Sequence, residues 1–352
     1  MPKRPFPDGI PSWPGSARSR VLGRGLDRRR FLMLPAGAAA ACGRARKAGV
    51  RKLAVALGPY LAMSPFYLAH ERGYFRSAGF DIAIRVTRSA TEVMPLLAQG
   101  TLDVGFLGSA PSLFNMLAQG ARLRIAAARE YVVGCREVGF LYERTARFPA
   151  GDGDALAWRG KHVAVQNRGG IDEFAFDALR RRLGVAAGEV KTAYMDKAAA
   201  LAALLSGGVD AMINGFGLPI DLGARRQEFL RNDAAARLVS GQQYSYILFA
   251  KSLLDGDPEL GADFLKAYFR GTREYLAGAT PDYFERYIRE NGLERELVLK
   301  TCRTSLVPDG SVRIEDLQKY IDWANQQGYS QPAKAEGMVD LRWLERSHRG
   351  QS

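Results

Sequence analysis

The chain has 352 residues, 47% of them hydrophobic and 25% charged, with a formal net charge of +13 at pH 7. This is the composition of a soluble globular protein long enough for two domains. The distribution of charge excludes a nucleic-acid-binding surface. Residues 1–42 alone carry eight Lys or Arg against two Asp, and the rest of the chain has no dense basic stripe with interleaved aromatic residues.

The first 42 residues have the order of a signal peptide. Residues 1–27 are rich in Pro, Gly, Ser and Arg, which is typical of disorder. Three arginines, 28–30, precede the apolar stretch Phe31–Ala41, whose eleven residues are too few to span a bilayer, and Cys42 follows. Residues 43–50 are expected to form a short tether. The alternative of a basic arm for nucleic acid does not account for the apolar stretch.

Two details of this leader resemble known export signals. Arg28-Arg29 before Phe31 resembles a twin-arginine signal, which implies transient contact with the twin-arginine translocase. Residues 39–42 (Ala-Ala-Ala-Cys) resemble a bacterial lipobox, which implies that Cys42 is acylated and anchors the chain to a membrane. Ala39 departs from the usual Leu three places before the Cys.

The next part of the chain alternates strands and helices. The predicted elements are strand Leu53–Leu57, helix 64–75, strand Phe80–Val86, helix Ala90–Gln99, strand Leu102–Leu107, helix Ser109–Gln119 and strand Leu123–Ala128. Ser64 and Ser109 are expected to cap their helices, with Pro65 and Pro111 in the first turns. The alternation predicts βαβ units around a mostly parallel sheet.

The same rhythm returns after a crossing strand, Arg136–Tyr142. The predicted elements are strand His162–Gln166, helix Gly170–Leu183, strand Val190–Tyr194, helix Lys197–Leu205, strand Val209–Ile213 and helix Pro219–Arg225. An extended segment, Arg237–Phe249, is expected to lead back to the first lobe. The remainder is predicted as helices Pro258–Leu276, Pro281–Asn291, Glu294–Thr301 and Ile314–Gln327.

The segment Met94–Leu117 predicts a helix closed by Gly100 at positive φ, a buried strand, a tight turn and a new helix. Backbone N–H groups at such a turn, at the carboxyl end of a parallel strand, lie where open α/β sheets bind ligands. Residues 204–211 repeat the pattern of 97–104, with Asp210 placed 107 residues after Asp103. Either two similar lobes share one cleft, or two unrelated helix-to-strand turns look alike.

Several of these segments resemble a family of extracytoplasmic solute-binding proteins. The segments are 65–75 (Pro-Phe-Tyr-Leu-Ala-His-Glu-Arg-Gly-Tyr-Phe) with Gly79-Phe80-Asp81, 97–108, 120–124, 158–165 (Trp-Arg-Gly-Lys-His-Val-Ala-Val), Val209-Asp210-Ala211 and Leu218-Pro219. Together they resemble the nitrate, sulfonate, taurine and thiamine-precursor group, the NMT1/THI5-like family, which serves ABC importers. The resemblance covers about residues 53–250.

The resemblance implies an α/β fold of the two-lobed periplasmic-binding-protein type II, each lobe a mostly parallel sheet flanked by helices, with a helical C-terminal tail. Lobe 1 is expected over 51–130, lobe 2 over 131–242, and 243–352 returns to lobe 1 and ends in helices. The implied function is capture of a small solute, anionic like a sulfonate, nitrate or carboxylate, for an ABC permease. The chain is expected to be an extracytoplasmic monomer, not an enzyme, with no cofactor or metal.

The expected ligand contacts follow the family's turns. They are Ser64, Phe66, Gly108, Ser109 and Ala110 in lobe 1, Arg129 and Tyr131 near the crossing, and Asn167, Gly169, Gly170, Ile171, Asn214 and Phe216 in lobe 2. Two of these turns depart from the family. Residues 167–171 replace its Gly-Ser-Thr turn, and residues 214–219 lack its usual acidic residue before Pro219. The solute of a relative therefore does not carry over.

Other interpretations remain open at this point. Binding or synthesis of a thiamine pyrimidine precursor is possible on the same scaffold, although the three His and three Cys show no metal-ligand or catalytic spacing. A ligand-sensing regulatory domain is the third interpretation. Cys135 and Cys302 either pair in an oxidising compartment or remain buried thiols.

Overall fold

The structure, a computed structural model, describes residues 50–87, 90–133, 141–148, 155–214, 220, 222–300 and 305–349. These residues fall within one compact unit, residues 48–352. The predicted signal peptide with Cys42, the tether before Val50, and the residues Cys135, Phe216 and Cys302 lie outside the described residues.

The described strands form two five-stranded sheets. They are β1 (Arg51–Leu57), β2 (Phe80–Val86), β3 (Val104–Gly108), β4 (Leu123–Tyr131), β5 (Leu141–Arg144), β6 (His162–Val165), β7 (Lys191–Tyr194), β8 (Ala211–Ile213), β9 (Phe229–Asn232) and β10 (Gln243–Ala250). The first sheet has the order β2-β1-β3-β10-β4 and the second β7-β6-β8-β5-β9. In each sheet the first three strands are parallel, and the fourth runs antiparallel to both of its neighbours.

Helices flank both sheets and form most of the C-terminal part. They are α1 (Ser64–Glu71), α2 (Tyr74–Ser77), α3 (Ala90–Ala98), α4 (Pro111–Ala118), α5 (Ala155–Trp158), α6 (Ile171–Arg182), α7 (Lys197–Ser206), α8 (Ala234–Leu238), α9 (Lys251–Leu254), α10 (Pro258–Leu276), α11 (Asp282–Glu290), α12 (Arg295–Lys300), α13 (Ile314–Gln326) and α14 (Arg342–His348). One face of α10 is buried against the first sheet's apolar core through residues such as Phe264 and Tyr268.

The sequence repeat between Asp103 and Asp210 corresponds to a repeat in the structure. Asp103 Oδ2 accepts a hydrogen bond from the Ala54 N–H at 2.7 Å, and Asp210 Oδ2 accepts one from the His162 N–H at 2.8 Å. Each Asp also donates its own N–H to the carbonyl of the same partner residue. Both carboxylates therefore begin a central strand in the same way, β3 beside β1 and β8 beside β6.

Some predicted helix starts are wrong. The helix expected over 64–75 is two helices, because Gly73 adopts φ +72° between them. Ser64 is the first helical residue rather than a cap, and its Oγ donates to the Leu61 carbonyl at 2.6 Å. Ser109 is not a cap either, since α4 begins at Pro111 with Ala110 in the N-cap position. The positive φ predicted for Gly100 is confirmed.

The region before β10 also differs from the prediction. Gly223–Glu228 forms a 3-10 helix where an α-helix was expected over 219–225, and the start at Gly223 has φ +53°. Arg237 lies in α8 rather than in an extended segment, because the alanine-rich run Ala234–Leu238 favours a helix. Strand β9 and helix α14 were not predicted.

Helix α13 packs against helices of both sheets. The Tyr320 ring lies 5.7 Å from the Phe114 ring of α4 and 5.0 Å from the Phe174 ring of α6. The largest apolar cluster correspondingly contains buried residues from both sheets and from α13. The two sheets are thus joined by a shared core as well as by the chain crossings between them.

Candidate functional site

A cavity of about 600 Å³ lies between the two sheets. Its walls come from the turn after β3, the turn after β6, the facing parts of β4 and β10, and the segment after α13. The lining residues are Gly58, Tyr60, Met63, Thr87, Phe106, Leu107, Gly108, Ser109, Ala110, Pro111, Ser112, Arg129, Glu130, Asn167, Arg168, Gly170, Ile171, Asp172, Tyr244, Ser245 and Tyr329. This volume is in the range of small-molecule sites.

The turn after β3 leads into the start of α4, where one N–H is already engaged and one position has none. The Ser109 N–H donates to the Tyr244 carbonyl at 2.6 Å, which extends the pairing of β3 with β10. Pro111 opens α4 and has no N–H to offer. The Ser109 hydroxyl oxygen is buried away from solvent, so its side chain does not offer a polar group to the cavity.

The turn after β6 is held by two carboxylates from its own helix. Asp172 Oδ2 accepts hydrogen bonds from the Gln166 N–H at 2.7 Å and the Asn167 N–H at 3.4 Å. Glu173 Oε2 accepts one from the Gly169 N–H at 2.6 Å. Burial raises the pKa of the Asp172 carboxyl to about 6, although backbone N–H donors of this turn oppose the rise. The positive end of α6 therefore already faces two carboxylates.

The two turns meet at Gly169 and Pro111. Gly169 has φ +72°, and a Cβ built on it would lie 2.5 Å from Pro111 Cγ. The Tyr320 hydroxyl of α13 donates to the Gly169 carbonyl at 2.8 Å. A glycine is required here for two reasons. Its backbone is left-handed, and Pro111 approaches it closely from the other half of the molecule, the half built on the first sheet.

A buried ion pair forms the part of the wall contributed by β4. Arg129 NH2 lies 2.5 Å from Glu130 Oε2, and the two side chains are 5% and 3% exposed. The guanidinium lies over the Phe106 ring, 5.9 Å from its centroid. Burial raises the pKa of the Glu130 carboxyl, while Arg129 and Ser245 oppose that rise.

Every N–H of the Arg129 guanidinium has a partner within the protein. Nε donates to Ser245 Oγ at 3.1 Å, NH1 to the Ala62 carbonyl at 3.0 Å and to Met63 Sδ at 3.6 Å, and NH2 to Ser245 Oγ at 2.6 Å as well as to Glu130. A guanidinium has five donors, so none is left for a ligand in this arrangement.

Aromatic side chains make up much of the remaining wall. Tyr244 is 7% exposed, lines the cavity and makes no side-chain hydrogen bond to the described residues. Burial raises the pKa of its hydroxyl well above the ordinary value. The Tyr60 ring folds over Gly58, where a Cβ would lie 2.1 Å from Tyr60 Cε2. Gly58 thus leaves the space that this ring occupies.

The mouth of the cavity carries a cluster of aromatic and charged side chains. The exposed Arg168 guanidinium lies 5.8 Å from the Tyr194 ring and 5.1 Å from the Tyr329 ring. Both tyrosine hydroxyls donate to Glu173 Oε1, at 2.6 and 2.8 Å. Tyr329 also places its carbonyl 3.3 Å from Asn115 Nδ2 of α4, so this cluster links the two halves.

The structure brings seven of the predicted contacts to the cavity: Gly108, Ser109, Ala110, Arg129, Asn167, Gly170 and Ile171. Tyr131 and Gly169 lie next to lining residues without lining it. Ser64, Phe66 and Asn214 are fully buried in the protein, and Phe66 packs in the aromatic core of the first sheet. Phe216 lies outside the described residues.

Sequence reasoning missed Glu130, Asp172, Tyr244 and Tyr329. Glu130 and Asp172 directly follow the predicted residues Arg129 and Ile171 in the sequence. The available signal was that both are acidic and lie beside a site expected to bind an anion. Tyr244 lies in the predicted return segment, but nothing in the sequence indicated which strand it would join. Tyr329 reaches the cavity from the end of α13, far along the chain, and no sequence pattern indicated it.

Comparison with known proteins agrees with this geometry. A family model described as "NMT1/THI5 like" matches residues 61–131, and the predicted resemblance to that family is confirmed over those residues. No curated protein matches the chain by sequence.

Solved structures with the same fold are similar over most of the chain. The periplasmic aliphatic sulphonate binding protein SsuA from Escherichia coli has a TM-score of 0.61 at 17% identity, covering 82% of this chain and 92% of that chain. The periplasmic nitrate-binding protein NrtA from Synechocystis PCC 6803 has a TM-score of 0.59 at 15% identity, covering 84% and 88%. The desulfurization enzyme DSZB has a TM-score of 0.57 at 14% identity, covering 86% and 99%. The predicted two-lobed periplasmic-binding-protein fold is confirmed.

Two features are absent from the residues that the structure describes. Among those residues, no helix is long and apolar enough to cross a membrane. No group of three or more His, Cys, Asp or Glu side chains within the same residues could hold a metal ion.

Proposed function

We propose that this protein is the solute-binding component of an ABC importer and holds a small solute between its two sheets. The observation that carries the proposal is the cavity of about 600 Å³ whose walls come from both halves of the molecule. The solved structures of similar fold include sulfonate- and nitrate-binding periplasmic proteins, which supports the same role. The partner is then an ABC permease.

Binding by closure follows from the energies involved. Micromolar affinity requires about 8 kcal/mol, whereas a single hydrogen bond contributes about 0.5–1.5 kcal/mol net. Several contacts from both halves are therefore needed at once. Approach of the halves also excludes water, which strengthens each polar contact with the solute. We take the contacts of Gly169 with Pro111 and Tyr320, which bridge the halves, as part of the closed arrangement.

The sequence predicts an anionic solute, and the two transport proteins of similar fold bind aliphatic sulfonate and nitrate, so anions belong among the solutes to be tested. Turnover is not part of the proposed function, and the solute should be recovered unchanged. DSZB shows that an enzyme occurs on a similar fold, so mass spectrometry of the solute after prolonged incubation tests this point.

The test is a thermal-shift screen of sulfonates, carboxylates, nitrate and pyrimidines, followed by small-angle scattering with any solute that stabilises the protein. A solute at 100 times its Kd should add about 2.7 kcal/mol of stability. Ser112→Trp, which fills the cavity, should abolish the shift, and Gln119→Trp at the exposed far end of α4 should retain it. Equal shifts in the two variants, or none with any solute and cell extract, would contradict the proposal.

We further propose that residues 1–42 direct export and that the mature protein is extracytoplasmic and lipid-anchored through Cys42. Replacing Arg28 and Arg29 together by Lys is expected to block export, measured by cell fractionation. Cys42→Ser is expected to release the exported protein from membranes. Unchanged membrane association of that variant would reject the anchor.

A further inference from the structure

We propose that Glu130 acts as an internal counterion to Arg129 and thereby prevents the cavity from binding anions. The solute is then an organic molecule without net negative charge. This inference rests on the proposed function and names the solute class of the same cavity. It departs from the anion expected from the sequence. Glu130 is then the residue that sets the charge specificity of the site.

The buried arginine of the cavity is fully engaged by other groups of the protein. An oxyanion site in a low-dielectric cavity needs a cation or free N–H donors aimed at the oxyanion. Arg129 is the buried cation of this cavity, and all five of its donors are taken by Glu130, Ser245, Ala62 and Met63. Its charge is neutralised at 2.5 Å by Glu130, which also lines the cavity.

Two helix starts, those of α4 and α6, face the cavity. The positive end of α6 is occupied by the carboxylates of Asp172 and Glu173, which accept the N–H groups of the turn. At α4, Ser109 donates its N–H to Tyr244 and Pro111 has none. A solute anion would therefore meet two carboxylates at the start of α6, and like charges at close range repel.

The charged side chains around the cavity are balanced in sign. The charged residues among its described lining are Arg129, Glu130, Arg168 and Asp172, two of each sign. Arg168 lies at the exposed mouth between two tyrosine rings, where Glu173 is a further negative neighbour. The cavity consequently has no excess of positive charge to offset the desolvation of an anion.

The groups left for a solute in the buried part of the cavity are uncharged. Tyr244 is 7% exposed and lines the cavity, and its hydroxyl has no partner among the described residues. Tyr60, Phe106 and Tyr329 add ring surface, and the volume of about 600 Å³ greatly exceeds that of nitrate. These features suit a flat or apolar organic molecule that carries a group able to hydrogen-bond the Tyr244 hydroxyl.

The experiment compares the wild type with Glu130→Gln in thermal-shift titrations with sodium nitrate and sodium methanesulfonate, against sodium chloride at equal ionic strength. The wild type should show no stabilisation beyond chloride. Glu130→Gln, which frees the Arg129 charge, should bind methanesulfonate at least tenfold more tightly than the wild type. Glu228→Gln, which breaks the exposed Arg225–Glu228 pair away from the cavity, is the matched control and should behave like the wild type.

The inference would be overturned if the wild type bound either anion as tightly as Glu130→Gln does. It would also be overturned if Glu130→Gln folded but bound methanesulfonate no more tightly than the wild type. A measurement on the wild type alone covers the case in which the variant does not fold. A small-molecule extract of the producing cells is passed over a strong anion-exchange resin at pH 7, and the stabilising solute should appear in the flow-through. Retention on the resin would overturn the inference and leave the proposed function intact, whereas stabilisation by no fraction would contradict the proposed function.

Discussion

The two halves of the protein are alike where they build the scaffold and different where they face the cavity. Asp103 and Asp210 make the same pair of backbone contacts at the start of a central strand. The turns that lead into α4 and α6 do not correspond. The first opens on Pro111 without an acidic residue, and the second carries Asp172 and Glu173. A repeated framework thus supports two chemically distinct walls.

The largest expected effect comes from the point where the two turns meet. Gly169→Ala should lower the free energy of unfolding by about 2–4 kcal/mol, because the new Cβ meets Pro111 and the backbone has φ +72°. Gly184→Ala is the matched control, since φ is +70° there and nothing lies within 4 Å of the new Cβ. That control should lose about 1–2 kcal/mol, the cost of a left-handed backbone for an L-residue. Equal losses in urea denaturation would show that the halves do not touch at this point in solution.

The acidic turn should give a distinctive pH dependence. The pKa of Asp172 is raised to about 6 in the folded protein, so between about pH 4 and 6 the folded state holds this proton more tightly than the unfolded chain. The stability contributed by Asp172 is therefore present at low pH and lost as the pH rises through 6. The wild type should lose up to about 3 kcal/mol relative to Asp172→Asn over that interval. Parallel pH profiles of the two proteins would contradict this prediction.

The similarity of the scaffolds can be tested at the repeated aspartates. Asp103→Ala and Asp210→Ala should each lower the free energy of unfolding by about 1–3 kcal/mol, because each leaves a strand N–H without its carboxylate partner. Chemical denaturation measures both. If only one of the two variants lost stability, the two aspartates would share their sequence pattern and geometry but would not contribute equally to stability.

The smallest effect is expected at the first turn. Ser109→Ala should change solute affinity less than about twofold, because the hydroxyl oxygen is buried out of reach of solvent. Asn167→Ala in the second turn should weaken binding about two- to tenfold, since this exposed amide lines the cavity without a side-chain partner among the described residues. Calorimetry with the identified solute gives both values. A reversed order would exchange the roles of the two turns.

The sequence predicted the alternation of strands and helices because hydrophobic periodicity and glycine stops are local signals, as at Gly100. It failed where tertiary contacts decide the backbone. Ser109 has the chemistry of a helix cap, but pairing with Tyr244 keeps it extended. Arg129 has the chemistry of an anion ligand, and its commitment to Glu130 and Ser245 depends on β10, which the chain reaches more than a hundred residues later.

The position of β10 has a consequence for how the protein is made. Residues 141–232 supply every strand of the second sheet, whereas the first sheet needs β10 between β3 and β4. A nascent chain that ends before residue 243 can complete the second sheet, but it leaves β3 with an open edge prone to pairing with other chains. The cavity wall of the first half thus awaits synthesis of more than two thirds of the polypeptide, and co-translational folding is expected to begin in the second half.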